Sequence, residues 1–231
     1  MSNREDRYAE RAYLNPGDVE VSPEVYNLVI GGTLLYGFLV NCFMVKFCYN
    51  AAYNIIANNY ILFLIGYVLF VIAGSFMIRA SQNPVVSFIG YNMIVLPIGL
   101  ILSVILNDYI SAGYSSTVTA AFALTAVITL AMMAVSSFFP DMFLSMGRTL
   151  MVTLLVTIVM EVILFLFHAP LQIFDYIVVL LFSGYVGYDW ARANCCAKTV
   201  DNAIDCASEL YLDMINLFLR LLRILARSQN N

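Results

Sequence analysis

The chain has 231 residues, of which 62% are hydrophobic and 11% are charged, and its mean hydropathy is +0.85. Soluble domains are about 45–50% apolar and roughly 25% charged, so the composition excludes a large soluble domain and indicates a membrane protein. A net charge of −4, from 11 basic and 15 acidic residues, excludes nucleic acid as a partner because phosphate binding needs clustered cations.

Residues 1–22 form a polar segment at the N-terminus. The segment contains three arginines and five acids, is broken by Asn15-Pro16-Gly17, and contains no apolar run. It lacks the apolar core and the small-residue cleavage site of a secretory signal peptide. We therefore expect a flexible cytosolic tail, followed by a first hydrophobic helix that inserts uncleaved.

Seven apolar stretches follow the tail, and turn-forming or polar residues separate them. Alternating barrel-type patterning is absent, and only helices or closed barrels satisfy backbone polar groups in hydrocarbon. The sequence therefore predicts an all-α, polytopic membrane protein, with a seven-helix transmembrane domain over residues 23–227 and a short tail over 228–231. The predicted helices span 25–46, 60–78, 84–106, 117–139, 149–168, 171–190 and 209–226, and a long polar link over 192–208 precedes the last one.

The basic residues of the loops predict the orientation, because Lys and Arg are retained on the cytoplasmic side. With the N-terminus in the cytosol, seven basic residues lie inside before the last helix, against Lys46 alone outside. The exceptions are Arg220, Arg223 and Arg227, which seven full crossings place outside and a re-entrant final segment would bring inside. Seven crossings are favoured, and the side of the C-terminus stays open. The inner residues are Arg4, Arg7, Arg11, Arg79, Arg148, Arg192 and Lys198.

The cysteines and the single histidine do not predict a metal site or a cofactor. Structural zinc takes four Cys or His ligands in paired spacings such as C-x2-C, whereas Cys195 and Cys196 are adjacent and His168 lies far from them. The odd count of five cysteines, with Cys206 close to the adjacent pair, favours reduced thiols that face the cytosol.

Ionisable residues inside the helices are the candidates for function, because each is costly in hydrocarbon unless it is paired, hydrated or used. Asp189 lies near the inner end of the sixth predicted helix, and Asp213 lies about one turn into the seventh. The two helices are joined on the same side, so we expect the two carboxyls to meet. Neighbouring carboxyls share one proton and titrate as a pair, which makes them a pH sensor. Arg79, at the inner end of the second helix, is either their counter-charge or an interfacial anchor.

The last helix carries a polar stripe, with residues that recur every three or four positions and share one face. The stripe predicts that this face turns towards other helices or a hydrated path, and for Asp213 a functional role is favoured. In the alternative, Asn216 and Arg220 only cross-link the bundle, and Arg223 and Arg227 extend to the headgroups. Glu161, inside the fifth helix, lines a cation path or bonds a neighbouring helix, whereas Asp175 and His168 are interpreted as solvated interfacial residues. The stripe consists of Asp213, Asn216, Arg220, Arg223 and Arg227, and the candidate ion path comprises Glu161, Asn216 and Arg220.

Several short motifs resemble those of bacterial members of the Bax inhibitor-1 (transmembrane Bax inhibitor motif) family. The most specific begins Leu210-Tyr211-Leu212-Asp213 and continues through the last helix to Leu225. The resemblance covers about residues 25–226. The supporting motifs are Phe182-Ser183-Gly184, Tyr188-Asp189, Asn83-Pro84, Leu106-Asn107-Asp108-Tyr109 and Ser111-Ala112-Gly113.

The resemblance implies a seven-helix fold with the last helix surrounded by the other six, and a pH-sensitive leak of calcium. It implies that Asp189 and Asp213 are the family's aspartate pair and, more loosely, that Arg79 is its latch. Calcium then enters as the permeant ion and not as a cofactor. Trp190 and Glu161 depart from the family pattern. A monomer in a bacterial inner membrane, with its N-terminus in the cytosol, is expected.

Two alternatives compete with the leak. Family members that lack the aspartates are associated with modulating a membrane protease, which makes a non-conducting regulator with a membrane protein partner the second hypothesis. Two aspartates on neighbouring helices also suit an intramembrane aspartyl protease. Presenilin-like proteases, however, have a Gly-x-Gly-Asp turn and a later Pro-Ala-Leu, which the region around Asp213 lacks, so we expect no enzyme.

Overall fold

The computed structural model describes residues 19–167 and 172–229, and these residues are almost entirely helical. The described residues divide by their contacts into two units. Of the described residues, those up to 113 and those from 195 to 209 form unit 1, and those from 114 to 194 and from 210 onwards form unit 2. The helices are α1 (Pro23–Phe47), α2 (Tyr49–Asn58), α3 (Tyr60–Ala80), α4 (Pro84–Ser111), α5 (Ser115–Phe138), α6 (Pro140–Ser145), α7 (Gly147–Leu166), α8 (Gln172–Cys195) and α9 (Val200–Ser228).

Unit 1 is built on α1, α3 and α4. The first turn of α4 is capped by the Asn83 side chain, which accepts from the Val85 backbone N–H at 2.9 Å, and proline occupies its first position. Gly74 and Gly90 allow α3 and α4 to pack backbone against backbone. A Cβ on Gly90 would lie only 2.7 Å from the Gly74 carbonyl oxygen, so neither position accepts a side chain without a shift.

The first turns of α9 belong to unit 1 and are buried. Ser87 of α4 donates to the Asp201 carboxylate at 2.6 Å, and the Tyr26 hydroxyl lies 3.4 Å from the Cys206 sulfur. The segment before α1 also packs here, because the Val21 N–H donates to the Lys198 carbonyl at 2.8 Å. Asp201 and Cys206, in the first turns of α9, thus have partners within unit 1.

Unit 2 packs α6 and α7 tightly against α8. A Cβ on Gly187 would collide with the Phe143 ring of α6, and one on Gly147 would lie 2.6 Å from the Tyr188 ring. Trp190 donates its indole N–H to the Ser137 hydroxyl of α5 at 2.9 Å. The tryptophan that departs from the family pattern therefore connects α8 to α5.

Five helices in the described part of the chain are long and apolar enough to cross a membrane: α1, α3, α4, α5 and α7. The chain is thus an all-helical, integral membrane protein. The helices α8 and α9 are as long, at 24 and 29 residues, but carry more charge. Every residue of α9 from Val200 to Arg227 is nonetheless buried or half-buried.

Three local predictions are wrong. Residues 49–58 form a helix rather than a connecting loop, because their apolar residues recur at helical spacing. Residues 140–145 form a further short helix. The last helix begins at Val200 instead of 209, and the predicted polar link shrinks to residues 196–199. Residues 1–18 of the tail predicted over 1–22, the loop that contains His168, and the last two residues lie outside the described residues.

Candidate functional site

Asp189 and Asp213 lie together in unit 2, on α8 and α9. Each residue is only 6% exposed. Their side chains are within hydrogen-bonding reach of each other and interact electrostatically. Two carboxylates this close repel each other in a buried environment unless a proton or a cation lies beside them.

The second oxygen of Asp213 is also notable. Asp213 Oδ2 is buried and has no hydrogen-bond partner among the described residues. A fully ionised carboxylate would be costly with one oxygen unpaired, whereas a protonated carboxyl leaves only a carbonyl-like acceptor unsatisfied.

Arg192 supplies the nearby positive charge. Its Nη1 lies 3.5 Å from Asp189 Oδ1, across one turn of α8, and it also interacts electrostatically with Asp213. Both side chains of this ion pair are largely buried, at 10% and 8% exposure. A pair that shares one proton has a charge of −1, so Arg192 makes the cluster of three residues neutral.

Of the remaining predicted residues of this region, Asn216 lies on α9 and Arg79 lies on α3. Asn216 donates its side-chain amide to the Leu212 carbonyl of its own helix at 2.8 Å. Arg79 lies in the last turn of α3 and belongs to unit 1. Its role as a counter-charge or latch stays a prediction.

A second charged cluster, the arginine cluster, joins α7, α8 and α9 in unit 2, and it is centred on Asp175. Asp175 Oδ1 accepts from Arg220 at 3.0 Å and from Arg223 at 3.1 Å, and its Oδ2 lies 2.7 Å from Arg227 Nη1. Arg220 also forms an ion pair with Glu161. The cluster thus consists of Glu161, Asp175, Arg220, Arg223 and Arg227.

The prediction that Asp175 is a solvated helix-end residue is wrong, because the side chain is fully buried beneath three guanidinium groups. Its place in the first turn of α8 also suits the positive end of the helix dipole. Glu161 bonds a neighbouring helix, α9, through Arg220, which is one of its two predicted alternatives. The arginines that broke the positive-inside pattern have carboxylate partners within the protein.

Two features of the structure were not predicted from the sequence. Arg192 was counted only for orientation, although its position three residues after Asp189 on a helix indicates an ion pair. Asp201 and Ser87 were missed because residues 192–208 were interpreted as a loop. Within the described residues, no group of three or more His, Cys, Asp or Glu side chains is placed to hold a metal ion.

The family model described as "Inhibitor of apoptosis-promoting Bax1" matches residues 20–231, nearly the whole chain. The chain belongs to the Bax inhibitor-1 family. As a Bax inhibitor-1 family protein it is a membrane protein of a family that is not known to contain enzymes. No curated protein and no solved structure matches the chain.

Proposed function

We propose that this Bax inhibitor-1 family protein is a pH-sensitive cation leak, with calcium as the permeant ion, and that Asp189 and Asp213 control it by sharing a proton. The observation that carries the proposal is the buried contact between the two carboxyls, with one unpaired oxygen on Asp213. Loss of the shared proton adds a second buried negative charge, which the neighbouring Arg192 balances only in part. Proton binding and release therefore change the stability of the α8–α9 contact.

Calcium is the proposed ion because it prefers carboxylate and carbonyl oxygens. Asp189 and Asp213 supply carboxylate oxygens of this kind in the apolar bundle. In the proposed closed state, the pair is ionised. The proton balance then biases the closed state against the open state.

The proposal includes seven crossings, with α8 and α9 as the sixth and seventh and α9 central to the bundle. At 1.5 Å per residue, these helices are about 36 and 43 Å long, which exceeds the roughly 30 Å of a hydrocarbon core. The burial of α9 along nearly its whole length supports a central position. We further propose that the chain is a monomer in a bacterial inner membrane with its N-terminus in the cytosol.

Calcium flux in proteoliposomes tests the proposal. Vesicles loaded with a calcium-sensitive dye would contain the full chain, Asp213→Asn, Asp189→Asn, or the matched control Asp141→Asn, which alters an exposed acid of α6. We expect flux that varies with pH in the full chain and in the control, and flux that no longer varies with pH in either variant of the pair.

Unchanged flux and unchanged pH dependence in Asp213→Asn would exclude the shared proton as the control element. An absence of calcium and monovalent cation flux at every pH, in protein that keeps its helical circular dichroism, would exclude the leak. That result would favour the non-conducting regulator, which co-purification with a membrane protein partner would then test.

A further inference from the structure

We propose that the exposed side of the arginine cluster, formed by Arg223 and Arg227, binds the phosphate group of an anionic phospholipid. This site lies at the end of unit 2 that contains Glu161 and Asp175. It is separate in sequence and in contacts from the carboxylate pair, and the proposal does not depend on ion flux.

The charge of the cluster is the first observation. Three guanidinium groups face two carboxylates, so the cluster has a net charge of +1 when all five groups are ionised. Three guanidinium groups carry about fifteen N–H donors, whereas two carboxylates offer about eight acceptor positions. The carboxylates therefore leave both a positive charge and N–H donors for a further acceptor.

The exposure of the arginines is the second observation. Arg220 is largely buried between the two carboxylates, with a side chain that is 11% exposed. The side chains of Arg223 and Arg227 are 35% and 32% exposed, although each has a nitrogen on Asp175. One edge of each of these two groups is thus fixed by the buried carboxylate, and the other edge is open to an incoming anion.

The position of the cluster selects a lipid phosphate. Arg227 is one residue from the end of α9, and Arg223 lies about 7.5 Å from the same helix end along the axis. Thr117, in the first turn of α5, donates to Gln229 at 2.8 Å, so the end of α9 lies beside another helix end. Ends of membrane-spanning helices lie near the headgroups, where phosphates are concentrated and arginines at helix ends meet them. Guanidinium groups bind phosphate oxygens in bidentate fashion.

Native mass spectrometry of the purified full chain tests the site. Detergent micelles would contain phosphatidylglycerol or phosphatidylcholine of the same acyl chains, and the measured quantity would be the retained lipid. We expect retention of phosphatidylglycerol about tenfold above that of phosphatidylcholine, since each surface arginine contributes to anionic lipid binding. The double variant Arg223→Gln/Arg227→Gln should remove this preference. The control Lys46→Gln, which removes an exposed cation from the last turn of α1, should keep it.

Equal retention of both lipids by the full chain would overturn the proposal, and this comparison needs no variant to fold. A preference that persists in the double variant, or in Arg227→Gln alone if the double variant does not fold, would also overturn it. Inorganic phosphate, compared with chloride at matched ionic strength, separates the two sources of the anion. Displacement of phosphatidylglycerol by phosphate alone would assign the site to a free anion and overturn the lipid as its occupant.

Discussion

Arg192 Nη1 lies 3.5 Å from Asp189 Oδ1, one turn further along α8, in a region where both side chains are largely buried. The cation thus lies beside the carboxyl pair that the proposed leak depends on. In the proposed mechanism, this positive charge stabilises the ionised form of the pair and opposes binding of the shared proton.

Replacement of this cation should change the pH dependence of the leak. In Arg192→Gln the pair should retain its proton to higher pH, because the charge that stabilises the ionised form is lost. We expect the midpoint of the pH response, measured as calcium flux in proteoliposomes, to rise by about one pH unit. Lys46→Gln removes the same charge from an exposed position and should leave the midpoint unchanged. A midpoint that falls or does not move would show that Arg192 does not act on the pair.

The packing of α6 against α8 should be sensitive to a single methyl group at Gly187. A Cβ at this position collides with the Phe143 ring, so Gly187→Ala should lower the free energy of unfolding by about 1–3 kcal/mol. The matched control is Gly66→Ala, because a Cβ on Gly66 has no neighbouring atom within 4 Å. Thermal unfolding in detergent measures both, and equal melting temperatures for the two variants would contradict this packing.

Hydrophobic patterning was sufficient to predict the spanning helices α1, α3, α4, α5 and α7, with ends within a few residues of the observed ones. The composition of a helix that faces lipid is constrained by the lipid, so its sequence alone reveals it. The start of α9 could not be predicted in this way. The first turns of α9 are polar, and contacts such as the one between Ser87 and Asp201 stabilise them. A hydropathy pattern contains no information about such partners.

The charged residues show the same limit. The predicted meeting of Asp189 and Asp213 followed from their positions on two consecutive helices joined on one side. Asp175 was misassigned because its position near a helix end suggests contact with water, whereas the arginines that cover it lie 45 to 52 residues later in the chain. Long-range ion pairs of this kind depend on how helices pack, which periodicity does not specify.

The hydrogen bond between Ser87 and Asp201 should stabilise unit 1. The hydroxyl donates to a buried carboxylate at 2.6 Å, and hydrogen bonds to charged groups contribute about 1.5–3 kcal/mol. We expect Ser87→Ala to lower the free energy of unfolding by about this amount. Ser116→Ala alters an exposed serine in the first turn of α5 and should change it by less than about 0.5 kcal/mol. Similar losses in both variants would contradict the importance of the buried hydrogen bond.

Asp175 should contribute more to stability than Glu161, the other acid of the arginine cluster. Asp175→Asn removes the charge that three guanidinium groups share and leaves buried Arg220 with Glu161 as its only carboxylate partner in the cluster. Removal of one member of a buried ion pair costs about 3–5 kcal/mol, so we expect a marked fall in the free energy of unfolding in detergent. Glu161→Gln should cost less, because the Glu161 side chain is partly exposed and Arg220 keeps Asp175 as its partner. A smaller loss for Asp175→Asn than for Glu161→Gln would show that Asp175 is not the centre of the cluster.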